Sequence, residues 1–374
     1  MATINNQYVT LADVMSSAGV VPSSIVDLTS QMNPMLQDAP ALPCNNGTTH
    51  ETTVRTGISR TAWSKLYKGI PVSKGRLQSV SHGTGSVETA IELDKRVLDK
   101  IATLRQFAGM SNPVEKSEAI ANAKMKSIQN EEVAASEGMS QEAARALIYE
   151  SQAQNPDRIT GLAQIFSSRS AENGSQIVNA NRGSNSGSDN TSVYYVTWHE
   201  MTGHLIYPDG AGYHAGYEMM PLETSFNLDA NRDKYNTYRR EMRWHLGLAI
   251  RDWRYFVRVA NIDTGTLDKG DLPDGLNNAP TTMPTRTPRN STDLIDTLTD
   301  AYYLHRGRRI AKGKTCMYAN TTVVKFLDFQ ARNTPKNLYL FLNQTGTNAQ
   351  EVMSFRGIPI KESDAILNTE DTVS

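Results

Sequence analysis

The chain has 374 residues, 39% of them hydrophobic, and a formal net charge of -1 at pH 7. This length can bury one large core or two to three smaller ones. The near-zero charge argues against a general nucleic-acid-binding protein, and no apolar run reaches the ~18 residues of a membrane span. The first residues lack the basic and apolar regions of a secretion signal. Two cysteines, Cys44 and Cys316, are too few for a Cys-rich zinc site, so we expect free thiols in a reducing compartment.

Residues 1–50 are predicted to form an extended N-terminal arm. Thr10 suits the N-cap of a short helix that ends at Gly19, and a second helical piece is expected from Val21 until Asn33-Pro34 breaks it. The next segment, DAPALPCNNGTTH, is rich in Pro, Asn and Gly, so we expect no regular element there. An arm this polar buries too little apolar surface to fold alone and must lie on another surface.

Residues 51–94 are predicted to form two long β-segments joined by a projecting loop. The loop carries five basic residues and no acidic residue. Trp63, Leu66 and Tyr67 on such a projection suggest a surface that meets a partner. The alternative is a mobile loop whose aromatic side chains pack against their own domain.

Two helices should follow the hairpin. The first is predicted from about Asp94 to Phe107. Asn112-Pro113-Val114-Glu115 is a strong start signal for the second, because Asn caps a helix, Pro suits its first position and Glu follows three residues after the cap. The helical pattern continues to about Gln154 and could bend or divide at Gly138. At roughly 60 Å it must lie along a face of the protein, with these residues inward: Ala143, Leu147 and Ile148.

The stretch from Tyr238 to Asp263 is predicted to be one long strand with a bulge or sharp bend near Arg251-Asp252. Up to Ile250 the apolar residues occupy even-numbered positions, and beyond the bend they occupy odd-numbered positions. Six arginines lie between Arg239 and Arg258. Their guanidinium groups suit carboxylate pairing across subunits or phosphate contact, and the alternative is a solvated strand face.

The remainder of the chain is predicted to be a mixed α/β region with large loops. Its expected elements are a strand, turn and strand over Val193–Pro208, loops over 167–192 and 264–291, a helix from Thr292-Asp293, a strand over Cys316–Ala319, a helix over Thr321–Ala331, and final strands over Leu338–Leu342 and Phe355–Ile360.

Three stretches resemble ligand-binding or catalytic motifs, but none has the required pattern. His199-Glu200-Met201-Thr202-Gly203-His204 has one residue more than the zinc-protease pattern H-E-x-x-H. With His214 as a third ligand, it leaves a metal-dependent hydrolase as an alternative. Gly307–Thr315 resembles a phosphate-binding loop but follows a helix and precedes a strand, the reverse of the required order. The third stretch, His82–Ser86, offers only flexible glycines. Because none of the three stretches has a recognisable catalytic arrangement, we expect no catalytic residue, metal or cofactor.

The predicted arm, projecting hairpin and long surface helix would all be ordered segments with a large exposed surface. A single chain cannot bury that surface. Neighbouring copies could complete the burial through interfaces above the usual ~1,600 Å², and heterologous contacts of this kind close into rings and shells. The sequence therefore predicts an assembly subunit. The candidate inter-subunit contacts are Trp63, Lys65, Leu66, Tyr67, Lys68, Arg76, Arg251 and Arg254.

Several short stretches, taken in order, carry a family resemblance. They are Thr10–Val14 (TLADV), Asn33–Leu36 (NPML), Thr53–Gly57 (TVRTG), Ile159–Leu162 (ITGL), Ile206–Gly210 (IYPDG), Gly247–Tyr255 (GLAIRDWRY), Ala260–Asp263 (ANID) and Arg356–Ile360 (RGIPI). The ordered set resembles the major capsid proteins of tailed bacteriophages, which have the Hong Kong 97-type fold. More narrowly, it is similar to the capsid-protein family of short-tailed phages related to epsilon-15.

The resemblance implies an α+β fold with four parts: an N-terminal arm at 1–50, an extended β-hairpin loop at 51–94, a peripheral domain with a long spine helix at 95–155, completed by 351–374, and an axial domain at 156–350. It also implies self-assembly into pentamers and hexamers of an icosahedral head. The head would enclose double-stranded DNA, which a near-neutral wall would contact weakly and non-specifically.

Further partners follow from the same resemblance. A portal protein and a decoration protein are implied, in a virion assembled in the bacterial host cytoplasm. The chain lacks a long fused scaffolding segment at its N-terminus, so a separate scaffolding protein is expected. The namesake fold can carry a Lys–Asn cross-link; Lys65, Lys68 and Lys74 lie on the loop, but no Asn partner is identifiable, so noncovalent contacts are expected. A phage connector or tail ring protein is the structural alternative.

Overall fold

The computed structural model describes residues 31–63, 66–67, 69–70, 72–103, 107, 111–180, 189–228, 231–265, 267, 294–308, 313–333, 340–343 and 352–374. The helix predicted after Thr10, the candidate contacts Lys65 and Lys68, and most of the loop predicted at 264–291 lie outside these residues. Within the described ranges, no helix combines the length and the apolar character that crossing a bilayer requires.

The described chain mixes helices and strands, which confirms the predicted α+β class. The helices are α1 Pro34–Asp38, α2 Lys95–Asp99, α3 Pro113–Tyr149, α4 Leu162–Ile165, α5 Leu294–Leu304 and α6 Thr321–Asn333. The strands are β1 Ala41–Pro43, β2 Thr49–Gly57, β3 Arg76–Asp94, β4 Ile177–Asn179, β5 Asn190–Trp198, β6 Gly203–Tyr207, β7 Tyr217–Met219, β8 Glu223–Leu228, β9 Lys234–Ile250, β10 Phe256–Asp263, β11 Lys314–Ala319, β12 Leu340–Asn343, β13 Val352–Phe355 and β14 Ile358–Glu362. Short 3-10 helices lie at Lys100–Thr103, Gly174–Gln176, Trp253–Tyr255 and Arg306–Arg308.

The described residues divide into two compact units. The first contains Ser86–Ala143 and Gly216–His245, and the second contains Gln31–Gly85, Ala144–Ala215 and Leu246–Ser374. Within the first unit, β7 and β8 pair antiparallel with β9. Its core is a cluster of buried apolar side chains from β3, α2, the segment after α2, and α3: Leu93, Leu98, Ile101, Phe107 and Ile128.

The second unit is built on a sheet with the strand order β12-β13-β14-β11-β5-β10-β4. Every residue of β5 is buried, which is expected of a central strand with both faces covered. Apolar residues of α5 and α6 cover one face and form one cluster with residues of the strands. The largest core of the described chain therefore lies in this sheet and its helices.

The hairpin predicted for residues 51–94 forms from β2 and β3. These strands pair antiparallel from Thr49 opposite Gly83 to Gly57 opposite Arg76. β6 also belongs to the second unit, where it pairs antiparallel with the last residues of β9, from Gly203 opposite Ile250 onward.

The helical piece predicted from Val21 lies largely outside the described residues, and Asn33-Pro34 marks the beginning of α1, because proline at the first helical position needs no backbone donor. One prediction for the segment that follows α1 is wrong. Residues Ala41–Pro43, where no regular element is expected, form β1 parallel to β6. β6 supplies the missing hydrogen-bond partners: the Leu205 amide donates to the Pro40 carbonyl at 2.9 Å.

The chain turns sharply at Arg251-Asp252, which confirms the predicted sharp bend, but the prediction that one strand continues from Tyr238 to Asp263 is wrong. β9 ends at Ile250, a 3-10 turn follows, and β10 belongs to a different sheet. The Thr202 carbonyl accepts from the amides of Arg251 (2.8 Å) and Asp252 (3.1 Å), which holds the chain in the bend. The shift in apolar parity therefore marks a change of sheet and not a bulge.

The long helix α3 begins as predicted, with the Asn112 side chain accepting from the Val114 amide at 3.1 Å. It continues past Gly138 without division and ends at Tyr149 instead of Gln154. Three residues predicted to face inward are buried: Ala143, Leu147 and Ile148. The preceding helix begins near the predicted residue, and α2 passes into a 3-10 turn at Lys100–Thr103. Phe107, the predicted last residue, is helical, and residues 104–106 lie outside the described ranges.

The predicted final strand over Phe355–Ile360 is a β-hairpin. Arg356 and Gly357 form its turn with φ angles of 49° and 83°, a left-handed pair typical of two-residue hairpin turns. β14 then runs parallel to β11, with Met317 opposite Ile360.

Candidate assembly site

The hairpin tip, residues 58–75, presents large apolar side chains to solvent. The exposed fractions are 97% for Trp63, 90% for Leu66 and 104% for Tyr67. Ile70 and Val72 on the returning side are also exposed. Tyr67 has a φ of 63°, an uncommon backbone conformation for a residue with a bulky side chain. Apolar side chains exposed together on a projection are typical of a surface that another protein covers.

The tip is also basic. Residues 58–75 contain Arg60 and three lysines, and no acidic residue. Lys74 and Arg76 are exposed, and Arg76 begins β3 opposite Gly57. The candidate contacts Trp63, Leu66, Tyr67 and Arg76 are therefore near neighbours along the hairpin, on a surface that suits an apolar and acidic partner.

The remaining candidate contacts, Arg251 and Arg254, lie at the bend between β9 and β10. Arg251 is partly buried, and its Nη1 lies 3.5 Å from the carbonyl oxygen of Glu200. Arg254 donates from Nε (2.8 Å) and Nη2 (2.7 Å) to the two carboxylate oxygens of Asp252. Burial raises the pKa of Asp252, but the Arg254 hydrogen bonds outweigh it and lower that pKa. Arg254 is thus engaged within its own chain, and a contact with another subunit must use its outer edge.

The arginine that sequence reasoning places on a strand face, Arg258, is buried. Its Nη2 donates to the Glu370 carboxylate at 2.8 Å, and the two side chains are 4% and 3% exposed. The remaining donors of Arg258 reach Ser192 Oγ and the carbonyls of Ala163 and Phe166. All its contacts lie inside the second unit, so Arg258 serves the fold and is not available to a partner.

Glu370 is the residue that sequence reasoning missed. It accepts hydrogen bonds from the Tyr149 hydroxyl at 2.5 Å and from Ser192 Oγ, in addition to Arg258. Burial first, and then the charge of Glu370, raises the pKa of Tyr149. The Tyr149 hydroxyl in turn accepts from the Leu367 amide at 2.9 Å. A carboxylate in a polar C-terminal stretch gives no sequence signal that it enters a core.

A second buried carboxylate ties α1 to the sheet. Asp38 accepts from Lys314 of β11 and Lys361 of β14, both at 2.6 Å, and from the Tyr318 hydroxyl at 2.7 Å. Tyr318 accepts in turn from Trp198 Nε1 at 2.8 Å. Burial raises the pKa of Asp38, but the hydrogen bonds from Lys314, Lys361 and Tyr318 outweigh it and leave that pKa lowered.

The candidate metal ligands of the hydrolase alternative do not lie together at one site. His199 and Glu200 lie at the turn between β5 and β6, where His199 Nδ1 accepts from the Met201 amide at 3.1 Å. His204 is buried on β6, whereas His214 is exposed on the following loop. Among the residues that the structure describes, no group of three or more His, Cys, Asp or Glu side chains could hold a metal ion.

Comparisons with known proteins give one matching family model and one solved structure that is similar over the whole chain. A family model described as major capsid protein GP7 matches residues 17–122 and 99–374. The cryo-EM structure of bacteriophage Epsilon15 is 28% identical, with a TM-score of 0.69 over 100% of this chain and 99% of that chain. The bacteriophage JBD30 capsid is 9% identical, covers 93% and 97% of the two chains and has a TM-score of 0.39. The SrpI encapsulin of Synechococcus elongatus PCC 7942 is 11% identical, covers 68% and 97%, and has a TM-score of 0.37. A search of curated proteins found no significant match.

Proposed function

Because this chain belongs to the major capsid protein GP7 family, we propose that its copies assemble as pentamers and hexamers of an icosahedral phage head. The chain is a structural, non-enzymatic capsid protein of a phage virion with the Hong Kong 97-type fold. The observation that carries the proposal is the likeness to the Epsilon15 structure along the whole length of both chains. The head would enclose double-stranded DNA, which a wall of net charge -1 per chain would confine without binding it tightly.

The hairpin tip is the proposed contact between neighbouring copies. Trp63, Leu66 and Tyr67 are nearly fully exposed in the single chain, and their burial by a neighbour would contribute about 1.5–3 kcal/mol for each large side chain. Arg76, Arg251 and Arg254, together with Lys65 and Lys68, complete the proposed contact set. Their charges would set the orientation of the neighbouring copy more than the affinity.

Electron microscopy of the expressed protein tests this proposal. We expect closed shells from the natural chain and unassembled protein from the triple variant W63S/L66S/Y67S. The matched control is Phe226→Ser, which removes an aromatic side chain that is 57% exposed outside the tip and should leave shells intact. If the triple variant assembles as well as the natural chain, the tip is not the contact.

The same images distinguish a capsid protein from the structural alternative, a phage connector or tail ring protein. A connector or tail ring protein would form rings of fixed small order, whereas a capsid protein forms closed shells. Rings as the sole assembled product would therefore overturn the proposal.

We also propose the partners that such a head requires. They are a separate scaffolding protein, a portal protein at one vertex and a decoration protein on the outer face, with assembly in the host cytoplasm. Shells of native size that form from this chain alone would contradict the separate scaffolding protein. Bands above the monomer after boiling particles in SDS would show a covalent cross-link, for which the exposed Lys74 is a described candidate.

The four-part division into an arm (1–50), an extended loop (51–94), a peripheral domain (95–155 with 351–374) and an axial domain (156–350) stays a proposal. Deletion of the hairpin tip offers a direct test. If the loop is a separate projection, a chain in which residues 58–75 are replaced by a short Gly-containing turn keeps the unfolding midpoint of the natural chain but loses assembly.

A further inference from the structure

Three histidines from three strands lie together at the base of the hairpin. His50 on β2 stands directly opposite His82 on β3 in the antiparallel register. The ring of His204, on β6, meets the His50 ring edge to face, with centroids 5.2 Å apart. His82 is close enough for its charge to act on His204. We call these residues the histidine cluster.

Four of the six ring nitrogens of the histidine cluster are buried without a hydrogen bond of good geometry. They are His50 Nδ1, His82 Nε2 and both ring nitrogens of His204. Buried polar atoms in proteins are nearly always paired, so unpaired nitrogens gathered at one place need a physical explanation. The cluster plays no part in the proposed contact at the tip.

The cluster is held in its neutral form. Burial first, and then the charges of His50, Arg251 and His82, lowers the pKa of His204 to about 4. Burial also lowers the pKa values of His50, on which Arg251 acts, and of His82. The backbone carbonyls of Glu200 and Ile250 oppose these shifts at His204 and His82, but they do not reverse them.

The charged side chain that acts on the cluster, Arg251, does not stabilise a cation. Arg251 is positive and acts on both His50 and His204. Cys44 packs against Ile206 of β6 and Ala249 of β9. Burial first, and then the charge of Asp209, raises the pKa of the Cys44 thiol to about 11, so it is neutral as well.

We propose that the histidine cluster is an acid-sensitive latch that holds the base of the hairpin against β6 at neutral pH and releases it in mild acid. In the closed form the three rings are neutral, and the His50 and His204 rings pack edge to face. Protons taken up from solvent create cations that repel each other and Arg251, and separation of the strands lets water hydrate them.

The direction of the pH dependence follows from the lowered pKa values. In the open form the histidines regain an ordinary pKa near 6.5, so the open form binds more protons between about 6.5 and 4. The closed form is therefore fully stable above about pH 6.5 and is lost progressively as the pH falls toward 4. This opening is a property of one chain and does not rest on the proposed assembly.

Hydrogen–deuterium exchange of the purified, unassembled full chain tests the latch, in buffers that contain EDTA. After correction for intrinsic exchange, peptides covering β2 and residues 76–85 of β3 should exchange faster at pH 5 than at pH 7.5. His204 alone should contribute a factor on the order of 10 to 30 at pH 5. In a His305→Gln background, which removes the acid-sensitive histidine of the other sheet, peptides from β5 and β10 should change much less, because they lie in that sheet.

Three variants and a matched control decide the outcome. H204Q and H50Q remove one titrating ring each and should reduce the ratio of exchange rates severalfold. R251Q removes a repelling charge, so the protonated closed form is less destabilised and the midpoint of opening should move to lower pH. The control H214Q removes an exposed histidine and should leave the ratio unchanged. The latch is refuted if the natural chain shows no selective opening of β2 and β3, or if H204Q and H50Q both keep the full ratio.

Discussion

Arg258 Nη2 and Glu370 Oε2 lie 2.8 Å apart in the core of the second unit, although 112 residues separate them in the sequence. Their side chains are almost completely inaccessible to water. Removal of one member of such a pair leaves an uncompensated buried charge, which is more costly than the pair itself is stabilising. The pair therefore anchors the C-terminal segment to β10.

We predict that Glu370→Gln lowers the free energy of unfolding by about 3–5 kcal/mol, because Arg258 loses its counter-charge. Urea unfolding of the unassembled chain measures this loss. The matched control is Arg96→Gln, which breaks an ion pair with Asp94 in which the arginine side chain is 75% exposed. That solvent-exposed pair should contribute little to stability, so similar losses in both variants would contradict the buried-pair account.

Asp38→Asn should destabilise the chain by about 2–3 kcal/mol, because Lys314 and Lys361 lose a charged acceptor. The pKa of Asp38 is lowered in the folded chain, so its contribution is present above the unfolded pKa of about 3.8 and is lost as the pH falls through the folded value. Unfolding midpoints at pH 7 and pH 3 measure the effect. The gap between the natural chain and the variant should shrink at the lower pH.

We expect His305 to make the stability of the second unit's sheet sensitive to acid as well. His305 is buried, bonded to Thr197 Oγ1 and the Tyr255 carbonyl, and burial lowers its pKa to about 4. The unfolded chain therefore binds more protons between pH 4 and 6.5, and stability should fall by up to about 3 kcal/mol as the pH drops across that window. His305→Gln should flatten the pH profile of the unfolding free energy. An unchanged slope would show that His305 does not titrate there.

Both thiols should be unreactive in the folded chain. Cys44 and Cys316 are buried and free, and burial raises the pKa of each to about 11, so little thiolate forms at pH 8. We expect no labelling by iodoacetamide in native buffer and two labels per chain in urea. Mass spectrometry counts the labels, and rapid native labelling of either residue would contradict its buried position.

Local signals in the sequence were enough for several elements. Asn112 and Pro113 predict the start of α3 because capping and the fixed φ of proline depend on neighbouring residues alone. Apolar alternation predicts the strands that flank the hairpin tip, and the tip composition predicts that Trp63, Leu66 and Tyr67 are exposed. Whether these residues touch another copy stays a prediction, because a partner surface leaves no trace in the chain itself.

Elements that depend on distant partners were missed or misread. β1 forms because β6 lies beside it, and the strand predicted across Arg251-Asp252 breaks because the Thr202 carbonyl binds both amides of the bend.

The sequence by itself determined the α+β class, the long helix, the basic apolar hairpin and the family resemblance, since each is encoded in short windows or their order. Only the tertiary structure decided that Arg258 is buried with Glu370, that Asp38 joins two lysines, and that His50, His82 and His204 form one cluster. These pairings join residues far apart in the chain. Their free energy arises when folding removes the charged and polar groups from water together, which periodicity and composition do not record.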